Sequence, residues 1–187
     1  MRVFRKLLPS ELPQLKDHLL RLSADDRVAR FSGHVGDEAV ARHCARIDWR
    51  VSAVIGFFDS GVLRGAAELR GEDPRLGWSA ELAVTVEEAW QDQGVGTELL
   101  RRAIVICRNR SLKSIYMICL LDNRRMQRIA RKFEGALKFE SGQVEADIVV
   151  SFPSQVSLIE EAFADGTGLI ATWWDRLEGR TPRAAGG

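Results

Sequence analysis

The chain has 187 residues, 45% of them hydrophobic, and its 27 lysines and arginines against 26 acids leave a formal net charge of +1. A chain of this length buries one sizeable core, so we expect a single domain over residues 1–178 and a disordered tail at 179–187. The balanced charge gives no reason to expect nucleic acid as a partner, and the lack of a long apolar run or a leader pattern predicts a cytoplasmic protein with no membrane partner.

The first part of the chain predicts one strand followed by three helices. Residues 2–6 alternate weakly and suit a strand, and Ser10 is a suitable N-cap for a helix whose leucines recur at helical spacing. Two further helical patterns cover 22–31 and 37–47 and are joined by the flexible segment 32–36. We expect this region to form one wall of a substrate cleft.

Three strands are predicted next. Residues 52–58 and 62–69 suit two strands, and 59–61 between them has the glycine that a three-residue hairpin connection needs. A glycine and a proline within 71–74 break the chain, and 78–86 then alternates between apolar and polar residues. The last of these is a third core strand.

A glycine-containing turn, Gln91–Thr97, follows that strand and opens a helical pattern that runs from Gly96 to about Arg110. Gly94 and Gly96 have no Cβ to block close approach, so successive main-chain N–H groups can point at one anion at the positive end of the helix. The turn therefore predicts a pocket for a phosphorylated ligand, and the ligand group we expect is a pyrophosphate.

The next apolar run, 114–121, is nearly continuous, which is typical of a centrally buried strand, and it leads into a helix headed by Asn123. A strand, a helix and a second strand in this order imply parallel pairing. Residues 137–141 and 144–152 predict a final hairpin around Gly142.

The remaining segment, 155–177, is amphipathic and ends with Trp173 and Trp174. We expect these aromatic residues to pack on the core of the same chain, and the alternatives are a lid over the cleft or the contact of a homodimer.

Cys44, Cys107 and Cys119 have no CxxC spacing and the histidines have no ligand spacing, so we expect no metal.

The motif Gln91-x-x-Gly94-x-Gly96, placed after the strand Val84–Val86 and before a strand that ends near Asn123, resembles the GNAT acetyltransferase superfamily over about residues 50–150. The resemblance implies an α/β (α+β) fold with a central mixed, mostly antiparallel sheet, a splayed parallel strand pair and flanking helices. It also implies that acetyl-CoA is the co-substrate and lies between the splayed strands. Residues 22–31 additionally resemble the opening segment of the GNAT domain in Pat-type bacterial protein lysine acetyltransferases.

The same resemblance implies which residues bind the cofactor. The end of one strand would pair with the pantetheine arm, the glycine turn would hold the pyrophosphate, and an asparagine would contact the pantetheine. These cofactor-binding residues are Val84, Thr85, Val86, Gln91, Asp92, Gln93, Gly94, Val95, Gly96, Thr97 and Asn123.

Two glutamates are candidate bases for deprotonating an amine. Glu81 lies between apolar neighbours on the strand before the glycine turn, where partial desolvation would raise its pKa, and it matches the glutamate base of Pat-like enzymes. The alternative is a carboxylate that pairs with an arginine on the open sheet face. Glu68 on the neighbouring strand is the reserve base, acting directly or through water, and a main-chain N–H near Val84 is the expected oxyanion donor.

The residue that would donate a proton to the leaving thiolate differs from the family pattern. The family's tyrosine comes seven residues after the asparagine, and that position here is Ala130. Tyr116, the chain's single tyrosine, is expected in the core, with a position in the cleft as the alternative. Solvent or the substrate could supply the proton instead.

We therefore predict an N-acetyltransferase that moves the acetyl group of acetyl-CoA by direct attack onto a primary amine, of a protein lysine or a small molecule. The alternative is a CoA-binding sensor with little catalysis, which the alanine at the tyrosine position would suit. A Rossmann-like nucleotide domain is disfavoured because no third glycine follows at the fingerprint spacing.

Overall fold

Seven strands form one mixed sheet in the computed structural model, which describes residues 1–73, 78–140 and 142–150 together with Ile159 and Glu161. The strands are β1 (Arg2–Lys6), β2 (Ala53–Asp59), β3 (Val62–Asp73), β4 (Ser79–Val86), β5 (Ser114–Leu120), β6 (Ala136–Glu140) and β7 (Gln143–Val149). The helices are α1 (Leu12–Arg21), α2 (Ala24–Phe31), α3 (Asp37–Ala45), α4 (Val95–Asn109) and α5 (Arg124–Lys132), and short 3-10 helices lie at Pro9–Glu11 and Glu88–Trp90.

The sheet order is β1-β2-β3-β4-β5-β7-β6, and β4–β5 is its parallel pair while the other neighbours are antiparallel. The parallel pairing is short, because it joins only Ser79–Glu81 to Ser114–Tyr116. Beyond Glu81 and Tyr116 the two strands separate. The predicted fold, a mostly antiparallel mixed sheet with a splayed parallel pair and flanking helices, is confirmed.

Apolar side chains bury both faces of the sheet. On one face, α4 contributes the fully buried Leu99, Leu100 and Ala103 to a cluster that includes residues of β2 to β5 and β7. On the other face, α1 contributes Leu15 and Leu19, which pack with residues of α3, β2 and β3. Burying a leucine side chain contributes roughly 1.5–3 kcal/mol, so these periodic leucines fix both helices to the sheet.

Three sequence predictions require correction. Helix α1 does not begin at Ser10, because Pro9–Glu11 forms a 3-10 helix in which Glu11 bonds the main-chain N–H of Leu8 at 3.0 Å. Strand β3 continues to Asp73 past the predicted break, since a bulge between Arg70 and Glu72 absorbs the irregularity. Strand β5 is buried on one face only, and Ile118 on its other face is 46% exposed.

The other predicted elements agree with the structure within a few residues at each end. The hairpin connection has Gly61 at φ +78°, as its sequence requires. The tail interpretations, including Trp173 and Trp174 and the segment 179–187, lie outside the described residues. No helix in the described part of the chain is long and apolar enough to cross a membrane.

Candidate active site

The crevice between β4 and β5 is lined by main-chain groups of β4. The N–H of Glu87, just beyond β4, donates to Arg64 O at 2.9 Å and so points toward β3. Because main-chain groups alternate along a strand, the N–H and C=O groups of Leu82, Val84 and Val86 point the other way, toward β5. Since β5 has left β4 beyond Glu81, the main-chain groups of Val84 and the N–H of Val86 face a crevice rather than a paired strand in the described part of the chain, and Val86 O accepts from Gln91 Nε2.

The glycine turn presents free main-chain donors. Gly94 is left-handed at φ +82° and helix α4 begins at Val95 with no side-chain cap. Within the described ranges, no main-chain or side-chain acceptor bonds the N–H groups of residues 92–97, and the first bond back is Glu98 N to Gly94 O at 3.0 Å. These donors lie at the positive end of a 15-residue helix, which is a suitable environment for a phosphate group.

Gly96 allows close packing beside the crevice. A Cβ at this position would lie 3.0 Å from Ile129 Cδ1 and 3.9 Å from Val84 Cγ1. The absence of a side chain at Gly96 therefore allows the first turn of α4 to pack closely against α5 and β4.

Polar side chains hold the turn in place. Gln91 Nε2 donates to Val86 O and to Asp26 Oδ2, both at 2.9 Å, and so connects the turn to β4 and α2. Arg125 of α5 hydrogen bonds to Gln91 and lies 3.8 Å from an Asp92 carboxylate oxygen. The turn is thus fixed from both sides of the crevice.

Asn123 is the N-cap of α5. Its Oδ1 accepts a hydrogen bond from the Met126 N–H at 3.1 Å, which leaves the NH₂ group of the side chain as a donor for a ligand. Four arginines are exposed on α5, namely Arg124, Arg125, Arg128 and Arg131.

Replacing Gly94 with alanine is expected to destabilise the protein by about 1–2 kcal/mol, because an L-residue is strained in the left-handed region even where no atom blocks its Cβ. Urea unfolding measures this change. Gly33→Ala is the matched control, since a Cβ there also meets nothing within 4 Å and no positive φ strains it. Equal stabilities of the two variants would contradict the conformation assigned to Gly94.

Glu81 lies where β4 and β5 part, in a row of residues that crosses the sheet. Arg70 of β3, Glu81 of β4, Tyr116 of β5 and Asp147 of β7 are successive register partners. Side chains of register partners share one face, here the face covered by α1 and α3. The Glu81 side chain is half-buried and makes no hydrogen bond or ion pair with any residue that the structure describes. Among the described residues, no arginine pairs with this carboxylate.

Glu68 has a different environment from Glu81, because basic side chains surround its carboxylate. Its side chain is 2% exposed and bonds Arg30 Nη2 at 2.8 Å and His43 Nε2 at 2.7 Å. Although burial opposes ionisation, the charge of Arg30 and the hydrogen bond from His43 hold the pKa of Glu68 well below its usual value. A carboxylate so held is a poor proton acceptor, which weighs against Glu68 as the reserve base.

The two positions considered for a proton donor lie in different layers. Ala130 lies on the core-facing side of α5 and is fully buried. Tyr116 is only half-buried and lies on the Glu81 face of β5, opposite to the core residues Ile115 and Met117. The expectation that Tyr116 belongs to the core is therefore wrong, because the strand buries only its other face.

A buried polar network that the sequence did not indicate connects α1 to the end of β4. His18 is 0% exposed, and its Nε2 lies 2.9 Å from Thr85 Oγ1 while its Nδ1 lies 3.1 Å from Glu87 Oε1. Glu87 also accepts from Arg21 at 2.9 Å and from Arg64 at 2.8 Å. The network holds the Thr85 side chain against α1 and so fixes the position of the end of β4.

This network predicts acid sensitivity of the fold. Burial lowers the pKa of His18 from 6.5, so below about that pH the unfolded chain binds a proton that the folded chain does not, and stability falls as the pH decreases. Burial opposes ionisation of Glu87, but hydrogen bonds from His18, Arg64 and Arg21 lower its pKa from 4.5 to about 2. The stability that this carboxylate contributes is therefore lost as the pH falls from 4.5 to about 2. We expect the free energy of unfolding in urea to decrease from pH 7 to 5 and less steeply in His18→Gln. Equal slopes would contradict a neutral, buried His18.

Comparisons with known proteins agree with this geometry. Residues 18–135 match the acetyltransferase (GNAT) family. The GNAT domain of S. lividans PAT has a TM-score of 0.68 at 19% identity over 79% of this chain and 89% of that one. The ribosomal-protein-S18-alanine N-acetyltransferase from Escherichia coli has a TM-score of 0.62 at 14% identity, covering 83% and 97%.

A putative acetyltransferase from Salmonella typhimurium, solved with its cofactor acetyl-CoA, has a TM-score of 0.60 at 16% identity over 83% of this chain and 96% of that one. These similarities show the fold, and the family match covers more than half of the sequence. The crevice, the free amides and this match together identify the protein: the chain belongs to the acetyltransferase (GNAT) family, enzymes that use acetyl-CoA as the acetyl donor.

Proposed function

We propose that the protein transfers the acetyl group of acetyl-CoA by direct attack onto a primary amine, of a small molecule or a protein lysine, with Glu81 as the base. One observation carries this proposal. The parallel strands separate directly after the Glu81 and Tyr116 pair, so a carboxylate without a protein partner among the described residues lies at the point where the crevice opens.

In this proposal the cofactor lies along the crevice. The N–H groups of residues 92–97 bind the pyrophosphate, as their lack of other acceptors and their place at the start of α4 favour. The main chain of Val84–Val86 pairs with the pantetheine arm, and Asn123 contacts it from the head of α5. The His18 network keeps Thr85 and its neighbours in an extended, rigid strand.

Glu81 takes the proton that the acceptor ammonium must lose. The neutral nitrogen then forms a bond to the thioester carbon, and the carbonyl oxygen becomes an oxyanion that a crevice-facing N–H such as that of Val84 stabilises. When the C–S bond breaks, the thiolate leaves, and the nitrogen loses its second proton to solvent to give the amide. A proton from Tyr116, which is the neighbour of Glu81 across the sheet, or from solvent then gives the free thiol, a leaving group with a pKa of about 8.5.

Two observations bear on the acceptor without deciding it. Residues 22–31 resemble the opening segment of Pat-type enzymes, and the GNAT domain of S. lividans PAT is among the similar structures, which supports a protein lysine. The polar row beside Glu81 instead offers charged groups that a small acceptor could use.

An assay of thiol release from acetyl-CoA over a panel of amines, with calorimetry of acetyl-CoA binding, tests the proposal. We expect binding together with amine-dependent thiol release and an acetylated product by mass spectrometry. Tight acetyl-CoA binding without release on any amine would instead favour a CoA-binding sensor, the function that Ala130 in place of a tyrosine would suit.

A further inference from the structure

We propose that the acceptor carries a carboxylate group as well as its amine, and that Arg70 binds this carboxylate while Glu81 receives the amine. The inference rests on the proposed function and names a class of acceptor for the same site, a small amino carboxylate.

Arg70 is the neighbour of Glu81 across the sheet. It lies directly opposite Glu81 in the antiparallel register of β3 and β4, and both side chains emerge on the face covered by α1 and α3. Neighbouring strands lie about 4.8 Å apart, so a ligand bound at Glu81 comes within reach of the Arg70 guanidinium.

Arg70 is held away from Glu81. Opposite charges in directly facing positions normally attract each other. Here the Arg70 Nη2 lies 2.8 Å from Nε2 and 3.1 Å from Nδ1 of His43, and 3.5 Å from Glu68 Oε2. His43 and Glu68 thus keep the guanidinium from neutralising Glu81, and they hold it in one place.

The charge of this group is positive. Two guanidinium groups, of Arg30 and Arg70, share the single carboxylate of Glu68, so the group is positive even with His43 neutral. Arg30 and Glu68 are 10% and 2% exposed, whereas the Arg70 side chain is 33% exposed. Arg70 is therefore the most exposed member of the group, although its Nε is buried and has no hydrogen-bond acceptor among the described residues.

A ligand carboxylate beside the exposed part of the Arg70 side chain would supply the missing negative charge. Guanidinium groups bind carboxylates through charge-assisted hydrogen bonds, which are the strongest hydrogen bonds available to a small ligand. The distance between adjacent strands sets a short spacer between the amine and the carboxylate. Simple amino acids of two to four carbons meet this requirement.

Calorimetry on the complex of the protein with CoA tests the inference without turnover. Glycine, 3-aminopropanoate and 4-aminobutyrate are each compared with the n-alkylamine of the same chain length, and 4-aminobutyrate also with 1,4-diaminobutane. We expect at least one amino carboxylate to bind roughly tenfold or more tightly than its alkylamine. Arg70→Gln should abolish this preference and Arg70→Lys should retain part of it. Arg42→Gln is the matched control, because it removes one exposed positive charge from α3.

Equal or undetectable binding of every pair by the wild-type protein would overturn the inference, as would a preference for the diamine or a preference that survives in Arg70→Gln. Thermal unfolding of each variant shows that it remains folded under the assay conditions. Acetylation of the alkylamines, measured in parallel, separates the two claims: transfer to amines without any carboxylate preference leaves the proposed function in place and removes only the role of Arg70.

Discussion

Replacing Glu81 with glutamine is expected to lower the kcat of acetyl transfer by roughly 10²- to 10⁴-fold, the range that a positioned general base contributes. The amide has nearly the same shape as the carboxylate but cannot accept the proton of the acceptor ammonium. Acetyl-CoA affinity should not change, because the proposed phosphate donors at residues 92–97 lie at the far end of β4. Steady-state kinetics and calorimetry on the same preparation measure both quantities.

Glu140→Gln is the matched control for this variant. Glu140 is an exposed residue of β6 at the far edge of the sheet, so its replacement should leave both kcat and acetyl-CoA affinity unchanged. Wild-type turnover in Glu81→Gln would remove Glu81 from the mechanism. A loss of acetyl-CoA affinity equal to the loss of turnover would instead assign Glu81 to cofactor binding.

Replacing Glu68 with glutamine is expected to destabilise the fold by about 3–5 kcal/mol, the cost typical of removing one partner of a buried ion pair. The change leaves the buried Arg30 without its counter-charge and removes the acceptor that His43 and Arg70 share. Urea unfolding monitored by circular dichroism measures the free energy of unfolding.

The control for this prediction is Glu38→Gln, in a pair with Arg42 on the surface of α3 where the carboxylate is 93% exposed. Exposed pairs contribute only about 0–1 kcal/mol, so this variant should be close to the wild type. In the double variant Glu68→Gln/Arg30→Gln, part of the lost stability should return because both charges are gone. Equal destabilisation by Glu38→Gln and Glu68→Gln would contradict the buried cluster.

The parts of the site that local sequence determines were predictable. Alternation in β4, the helical spacing of the leucines in α4, and the paired glycines between them placed a phosphate-binding turn at a junction of strand and helix. The structure shows that arrangement, with Gly94 at φ +82°. Asn123 before a helical pattern likewise predicted the start of α5, and the side chain is indeed its N-cap.

The parts that depend on contacts between distant residues were not predictable. His18 and Glu87 are 69 residues apart in the chain, and nothing in the local pattern of either indicates the partner. The role of Glu68 also depends on residues of α2 and α3 that only the fold brings to it. Tyr116 was misplaced because a nearly continuous apolar run does not reveal that only one face of its strand is covered.

A crystal structure of the protein with acetyl-CoA is the most direct test of where the donor binds. We expect pyrophosphate oxygens about 3 Å from the main-chain nitrogens of residues 92–97, the pantetheine arm along the crevice-facing edge of β4, and the acetyl group beside Glu81. A cofactor bound elsewhere, or a pyrophosphate held only by side chains away from this turn, would contradict it.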